Sequence, residues 1–118
     1  MTEERRDRRL GREERAEKLV DELRVKQHLF SPSRRQVWTV VGREGDTMVL
    51  LDYDSNGSPY CSCDDFHYRV LSGTITECYH LIAARRALDQ NKYSKIEFSD
   101  DEYESFLRSL LKDLFSRT

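Results

Sequence analysis

No stretch of the 118-residue sequence approaches the roughly 18 consecutive apolar residues of a membrane span, and the opening MTEERRDRRL lacks the apolar segment of a secretory signal. The expectation is an intracellular protein without a membrane partner, in the cytoplasm and nucleoid or the nucleus according to organism. Cysteine is scarce and odd in number. Three residues exclude a fully paired disulfide framework, and in a reducing compartment they point instead to metal binding or catalysis. Apolar material is short as well, 37% hydrophobic against 36% charged, with 20 Lys+Arg facing 22 Asp+Glu. That balance predicts a small core, although 5 Phe, 6 Tyr and Trp38 exceed what a disordered chain of this charge carries.

What is there is unevenly placed. Residues 1–15 hold almost no large apolar side chain, so burial cannot order them, and an isolated arm there is expected to fray. Ala16, Leu19, Val20 and Leu23 recur at helical spacing, and the apolar signal runs to Leu29-Phe30 before Ser31-Pro32, which predicts a short amphipathic helix over 14–29. The pattern then changes period. Val37–Val41 is β-branched and aromatic, Gly42–Asp46 is a turn cluster and Met48–Tyr53 resumes the strand character, a predicted hairpin, and Tyr60–Cys63 is a predicted third short strand. Cys78–Leu88, free of Gly and Pro, predicts a helix stopping near Asn91. Residues 64–76 are open between helix and loop.

Ser99-Asp100-Asp101-Glu102 has the form of a capping box, with Phe98 and Tyr103 placed as a hydrophobic staple, so a last helix is expected from Ser99. Its stripe of Tyr103, Phe106, Leu107, Leu110, Leu111, Leu114 and Phe115 must be covered, either by the protein's own core or by a partner's groove.

All three cysteines join a histidine in one pattern: Cys61-x-Cys63, fourteen residues, Cys78-x-His80. On a strand, side chains two apart share a face, so Cys61 and Cys63 can grip one ion. A helix offers no such pairing at that spacing, which places Cys78 at the last extended or N-cap position and His80 in the first turn, where the helix dipole favours a thiolate. Cys₃His suits one tetrahedral structural Zn²⁺, and a sphere filled by protein leaves no open position for water. A catalytic metal is therefore not expected. Cysteines as mere buried hydrophobes would need all four residues to fall by chance into matched pairs. His28 and His67, which lack patterned partners, read as surface or packing histidines.

The Cys-x-Cys, Cys-x-His arrangement resembles the SWIM zinc finger, and within SWIM proteins the chain is most similar to the small SWIM subunit of the Shu recombination-mediator complex. Ala83, three residues after His80, matches that signature, as do Tyr60, Phe66, Val70-Leu71 and the Leu29-Phe30 pair. The resemblance spans about residues 23–112. It implies an α+β fold, a zinc-stapled β-β-α unit with a short antiparallel sheet, flanked by N- and C-terminal helices. It also implies a non-enzymatic adaptor without a small-molecule substrate, binding a RecA/RadA-family recombinase paralogue in homologous recombination and DNA repair. The organisation expected is a charged arm and short helix over 1–30, the SWIM domain over 31–92 and an amphipathic helix over 93–118. Ala83 either lets the helix pack on the metal hairpin or admits a partner; Phe106, Leu107, Leu110 and Leu111 likewise serve packing or a partner.

A stand-alone nucleic-acid-binding finger is the alternative. The metal knuckle does not favour it, since three thiolates, neutral His and Zn²⁺ sum to −1 with Asp64, Asp65 and Glu77 beside them. Arg34, Arg35, Arg85, Arg86, Lys92 and Lys95 are the candidate phosphate contacts, against the usual fate of such residues as solvated surface charge.

Overall fold

The computed structural model describes residues 3–42, 45–51, 58–64 and 66–116, with side chains described from residue 11 to residue 114 within those spans. Helix α1 (Glu3–Asp21) leads into β1 (Val25–Ser31), β2 (Arg35–Gly42), β3 (Gly45–Leu50) and β4 (Tyr60–Cys61). A π-helical turn (Phe66–Val70), α2 (Tyr79–Gln90), β5 (Ser94–Ser99), a 3₁₀ turn (Asp100–Glu102) and α3 (Tyr103–Ser116) complete the chain. The fold is α+β. Its sheet is larger than the predicted hairpin and is mixed rather than antiparallel: five strands in the order β4-β3-β2-β1-β5, antiparallel except for β1 and β5, which run parallel.

Alternation along the strands separates two cores. Trp38, Val40 and Val49 face α1 and α2, where they meet Ala16, Val20, Leu81, Ala84 and Ala87. Phe30, Val37 and Met48 face the other way and meet Leu110, with Phe98, Tyr103, Phe106 and Leu107 around them. The sheet is thus covered on both faces, with the helices α1 and α2 on one side and α3 on the other. Sequence separation is large in this second core. Tyr103 meets the Phe30 ring edge-on at 4.9 Å, and Phe106 lies 4.6 Å from the buried His28 ring.

Three expectations are corrected. The helix over 14–29 ends at Asp21, because Leu23 takes a left-handed conformation (φ 56°) and is 60% exposed, so its helical spacing from Leu19 is coincidental. Residues 25–31 are a strand whose apolar run reflects burial from both sides rather than one helical face. Helix α1 instead extends towards the N-terminus, where the frayed arm was expected, with a kink at Gly11 (φ 71°, ψ −170°), a backbone state open to glycine.

The C-terminal helix also begins differently. Ser99 makes no side-chain capping bond, a 3₁₀ turn precedes α3, and the Asp100 carboxylate reaches back to the β1–β2 turn, accepting from the Ser33 amide (2.9 Å) and hydroxyl (2.7 Å). Strand β5 has no counterpart in the sequence reading. The sheet crosses both expected domain boundaries, since β1 and β5 lie within it. Of the hairpin and turn predictions, residues 43, 44 and 52–57 lie outside the described residues, as do Asp65 and the Phe115 side chain. Among the described residues no helix is long and apolar enough to cross a membrane.

Candidate metal centre

Strand β4 is only two residues long, pairing Tyr60 and Cys61 with Leu50 and Val49. Met48 and Ser62 extend the contact, through Ser62 N–H to the Met48 carbonyl and Met48 N–H to the Ser62 hydroxyl, both 3.0 Å. Cys61 closes the strand and Cys63 follows two residues later. On the other side Cys78 is the N-cap of α2 in an extended conformation (φ −79°, ψ 164°), and His80 sits in the first turn. Cys78 and His80 are where the spacing predicted, whereas the strand expected over Tyr60–Cys63 ends at Cys61 and leaves Cys63 in the bend that follows. Asn91 ends α2 in the left-handed conformation (φ 56°), as expected, with Lys92 N–H returning to the Ala87 carbonyl at 2.9 Å.

One donor atom from each of Cys61, Cys63, Cys78 and His80 lies within 4.8 Å of all the others. A tetrahedron with Zn–S bonds of ~2.3 Å has edges of about 3.8 Å, so the four are placed to hold one metal ion. Cys61 and Cys78 are fully buried and His80 nearly so. Two further observations fit a cation. Buried His80 Nδ1 has no protein partner. The backbone donates to sulfur, Phe66 N–H to Cys63 Sγ at 3.4 Å and Leu81 N–H to Cys78, as it does around thiolate ligands.

Sulfur electrostatics make the same demand. The Cys78 thiol is driven down by hydrogen bonds from Cys61, then Cys63, while Cys61 is driven up by donating to Cys63 and Cys78 and by burial. Cys63 receives a bond from Cys61, which lowers it, yet its own donation to Cys78 and its burial win and push it up to about 12. Three thiolates held this close need a divalent ion between them, and the donor set is that of structural zinc.

Ala83 is fully buried in the core that includes Cys61, Cys78 and Val49, so its small size serves packing of α2 on the sheet. Leu110 is buried and Phe106 and Leu107 half-buried against the opposite face, whereas Leu111 is 37% exposed. His28 is a packing histidine, its Nε2 3.0 Å from Thr39 Oγ1. His67 is exposed and stacks edge-on beside Tyr60 and Phe66 next to the centre.

Four of the six basic candidates are held in ion pairs within the chain. Arg85 pairs with Glu77 at 2.8 Å and Arg86 with Glu17 at 2.8 Å. Lys92 lies 3.8 Å from Asp21 and Lys95 3.6 Å from Glu97. Arg35 lies over the Tyr103 ring at 4.8 Å, and Arg34 holds the β1–β2 turn in the left-handed conformation (φ 66°). The amides of Phe66 and Leu81 that bond sulfur were not found from sequence, since every residue carries one; only the helix N-terminal position of Leu81 gave a signal.

No known family's sequence model matches the chain, and no solved structure matches it. A curated protein of Dictyostelium discoideum, described as a zinc finger SWIM domain-containing protein 7 homolog, is 34% identical to it over 94 residues. The match covers 78% of this chain and 57% of that protein, so the chain spans little more than half the length of its curated relative.

Proposed function

This chain carries a SWIM-type zinc finger, and from that premise we propose that it is a non-enzymatic intracellular adaptor that binds a RecA/RadA-family recombinase paralogue and supports homologous recombination and DNA repair. One observation carries the reading. The turn between the two ligand pairs, anchored by Cys63 and buried Phe66, holds Tyr68 76% exposed and Leu71 66% exposed, large apolar groups fixed beside a structural centre. Such groups fit a protein contact. Four protein donors fill a zinc sphere, which supports a staple over a Lewis acid. The engagement of Arg85, Arg86, Lys92 and Lys95 in ion pairs with the chain's own carboxylates supports DNA contact through the assembly over unaided binding.

The test is co-purification of the zinc-loaded chain with each recombinase paralogue of its genome. A stoichiometric complex with one of them, weakened by Tyr68→Ala and Leu71→Ala at unchanged zinc content, is expected. Absence of any complex overturns the reading. Anisotropy of labelled single-stranded DNA should stay flat at low salt; submicromolar binding with a steep salt slope would favour the stand-alone finger.

A further inference from the structure

Strand β5 is a terminal strand of the five-stranded sheet, paired along its inner side with β1 from Lys26↔Ser94 to Ser31↔Ser99. No described strand pairs with its outer side. The opposite terminal strand, β4, has two residues; β5 has six. Ser94, Lys95, Ile96 and Glu97 are all exposed, so the helix layers leave this edge uncovered on both faces.

Natural proteins protect such edges with proline, bulges or charges that repel an incoming strand. Ser94-Lys95-Ile96-Glu97-Phe98-Ser99 has no proline, and its charges have another property. Lys95 and Glu97 flank Ile96 symmetrically and share a face, their side chains 3.6 Å apart and the carboxylate side chain 71% exposed. When a second β5 lies antiparallel with Ile96 opposite Ile96, each Lys95 faces the other copy's Glu97, and each Glu97 the other copy's Lys95. A parallel in-register pairing would instead set like against like. The antiparallel arrangement also places the two exposed Ile96 side chains in contact on the α3 face, in line with His28.

We propose that β5 pairs with β5 of a second copy of this chain, antiparallel about a two-fold axis at Ile96, so that two five-stranded sheets become one continuous sheet. The interface is isologous and closed, since the two-fold pairing consumes the β5 edge of both copies. It uses none of the zinc ligands and neither Tyr68 nor Leu71, so it stands or fails apart from the adaptor reading.

Sedimentation equilibrium of the zinc-loaded full chain from micromolar to millimolar concentration is the test. A monomer–dimer equilibrium is expected. Lys95→Glu or Glu97→Lys alone turns two attractive cross-strand pairs into two repulsive ones and should raise the dimer Kd about tenfold or more. The double variant with the charges exchanged should restore it. Zinc content and circular dichroism report on the fold of each variant, whose changed side chains are solvent-facing. A monomer at every concentration, a dimer indifferent to either reversal, or failure of the exchanged pair to restore association in a folded protein would each overturn the proposal.

Discussion

Removing the metal should abolish the folded state rather than loosen one corner of it. At ~0.05–0.15 kcal/mol per residue, a domain of this length has a stability of about 6–18 kcal/mol, whereas structural zinc contributes an apparent ~10–16 kcal/mol. The site joins β4 to the start of α2, and α2 covers Trp38, Val40 and Val49, each 1% exposed or less. If α2 undocks, those three side chains lose about 1.5–3 kcal/mol each. Ala84, Ala87 and the α1 residues Ala16 and Val20 lose their cover with them. Loss of the ion and loss of one helix layer together match or exceed the whole stability. Trp38, the sole tryptophan, packs 5.1 Å from the Tyr93 ring and reports the event directly. Titration with EDTA should red-shift its emission in step with metal release and eliminate the cooperative urea transition; His80→Ala, which leaves three thiols crowded at one site, should do the same at ordinary zinc concentrations. Native Trp38 emission and an unchanged urea midpoint at less than one-tenth metal per chain would refute this account of the fold.

Three further outcomes test the two cores. Leu110→Ala should cost about 2–4 kcal/mol of urea stability, while Leu111→Ala, on the exposed side of the same helix, should change it by roughly 0.5 kcal/mol or less. Ala83→Leu should destabilise by about 1–3 kcal/mol or more by forcing α2 off the sheet, and a lowered thermal midpoint in the absence of any partner is the readout. Burial, then Lys26, holds the His28 pKa below its usual value of 6.5, with Asp46 opposing; the folded state binds this proton less readily than the unfolded chain. Its contribution to stability is therefore complete above about pH 6.5 and is lost as pH falls through that value towards the lowered one, a limb that should flatten in His28→Gln when both proteins are melted across the same pH series.

The metal centre was legible because its logic is local. The cysteine pair two residues apart and the cysteine and histidine at a helix start fix the donor set, and the structure brings all four together, with Cys78 and His80 at the helix start as expected and Cys63 just beyond the end of the short strand. The strands at the sheet centre were legible for the same reason, being β-branched runs flanked by turns. What was not legible depends on distant chain. β1 reads as helix because Leu29 and Phe30 follow the helical spacing of Ala16, Leu19, Val20 and Leu23 up to Ser31-Pro32, whereas Leu23 turns left-handed, and nothing in the residues 14–29 announces that turn. β5 reads as nothing, because five of its six residues are exposed and its one neighbour among the described strands lies some seventy positions earlier. The capping box misled in a related way, since Asp100 spends its carboxylate on Ser33 rather than on its own helix.

Those long-range pairings explain how a chain with as much charge as hydrophobe holds a two-sided sheet. Strands β1 and β2 are buried over Val25, Gln27–Phe30 and Val37–Val40 because a helix layer covers each face, so a few apolar residues serve two cores at once. The arrangement places polar side chains inside and pairs them in part, His28 Nε2 with the Thr39 hydroxyl and the Gln27 amide nitrogen with Gln36, while Gln27 Oε1 and His28 Nδ1 are buried without a hydrogen-bond partner. It also leaves charge for the outside of the helices, where Arg86 links α2 to both Glu13 and Glu17 of α1. Zinc is needed at the one place where this economy fails. β4 contributes two residues, and among the described residues of the turn after it Phe66 alone is buried, with Val70 packed against the same core, so the metal adds a cross-link where the apolar contact between α2 and the end of the sheet is smallest.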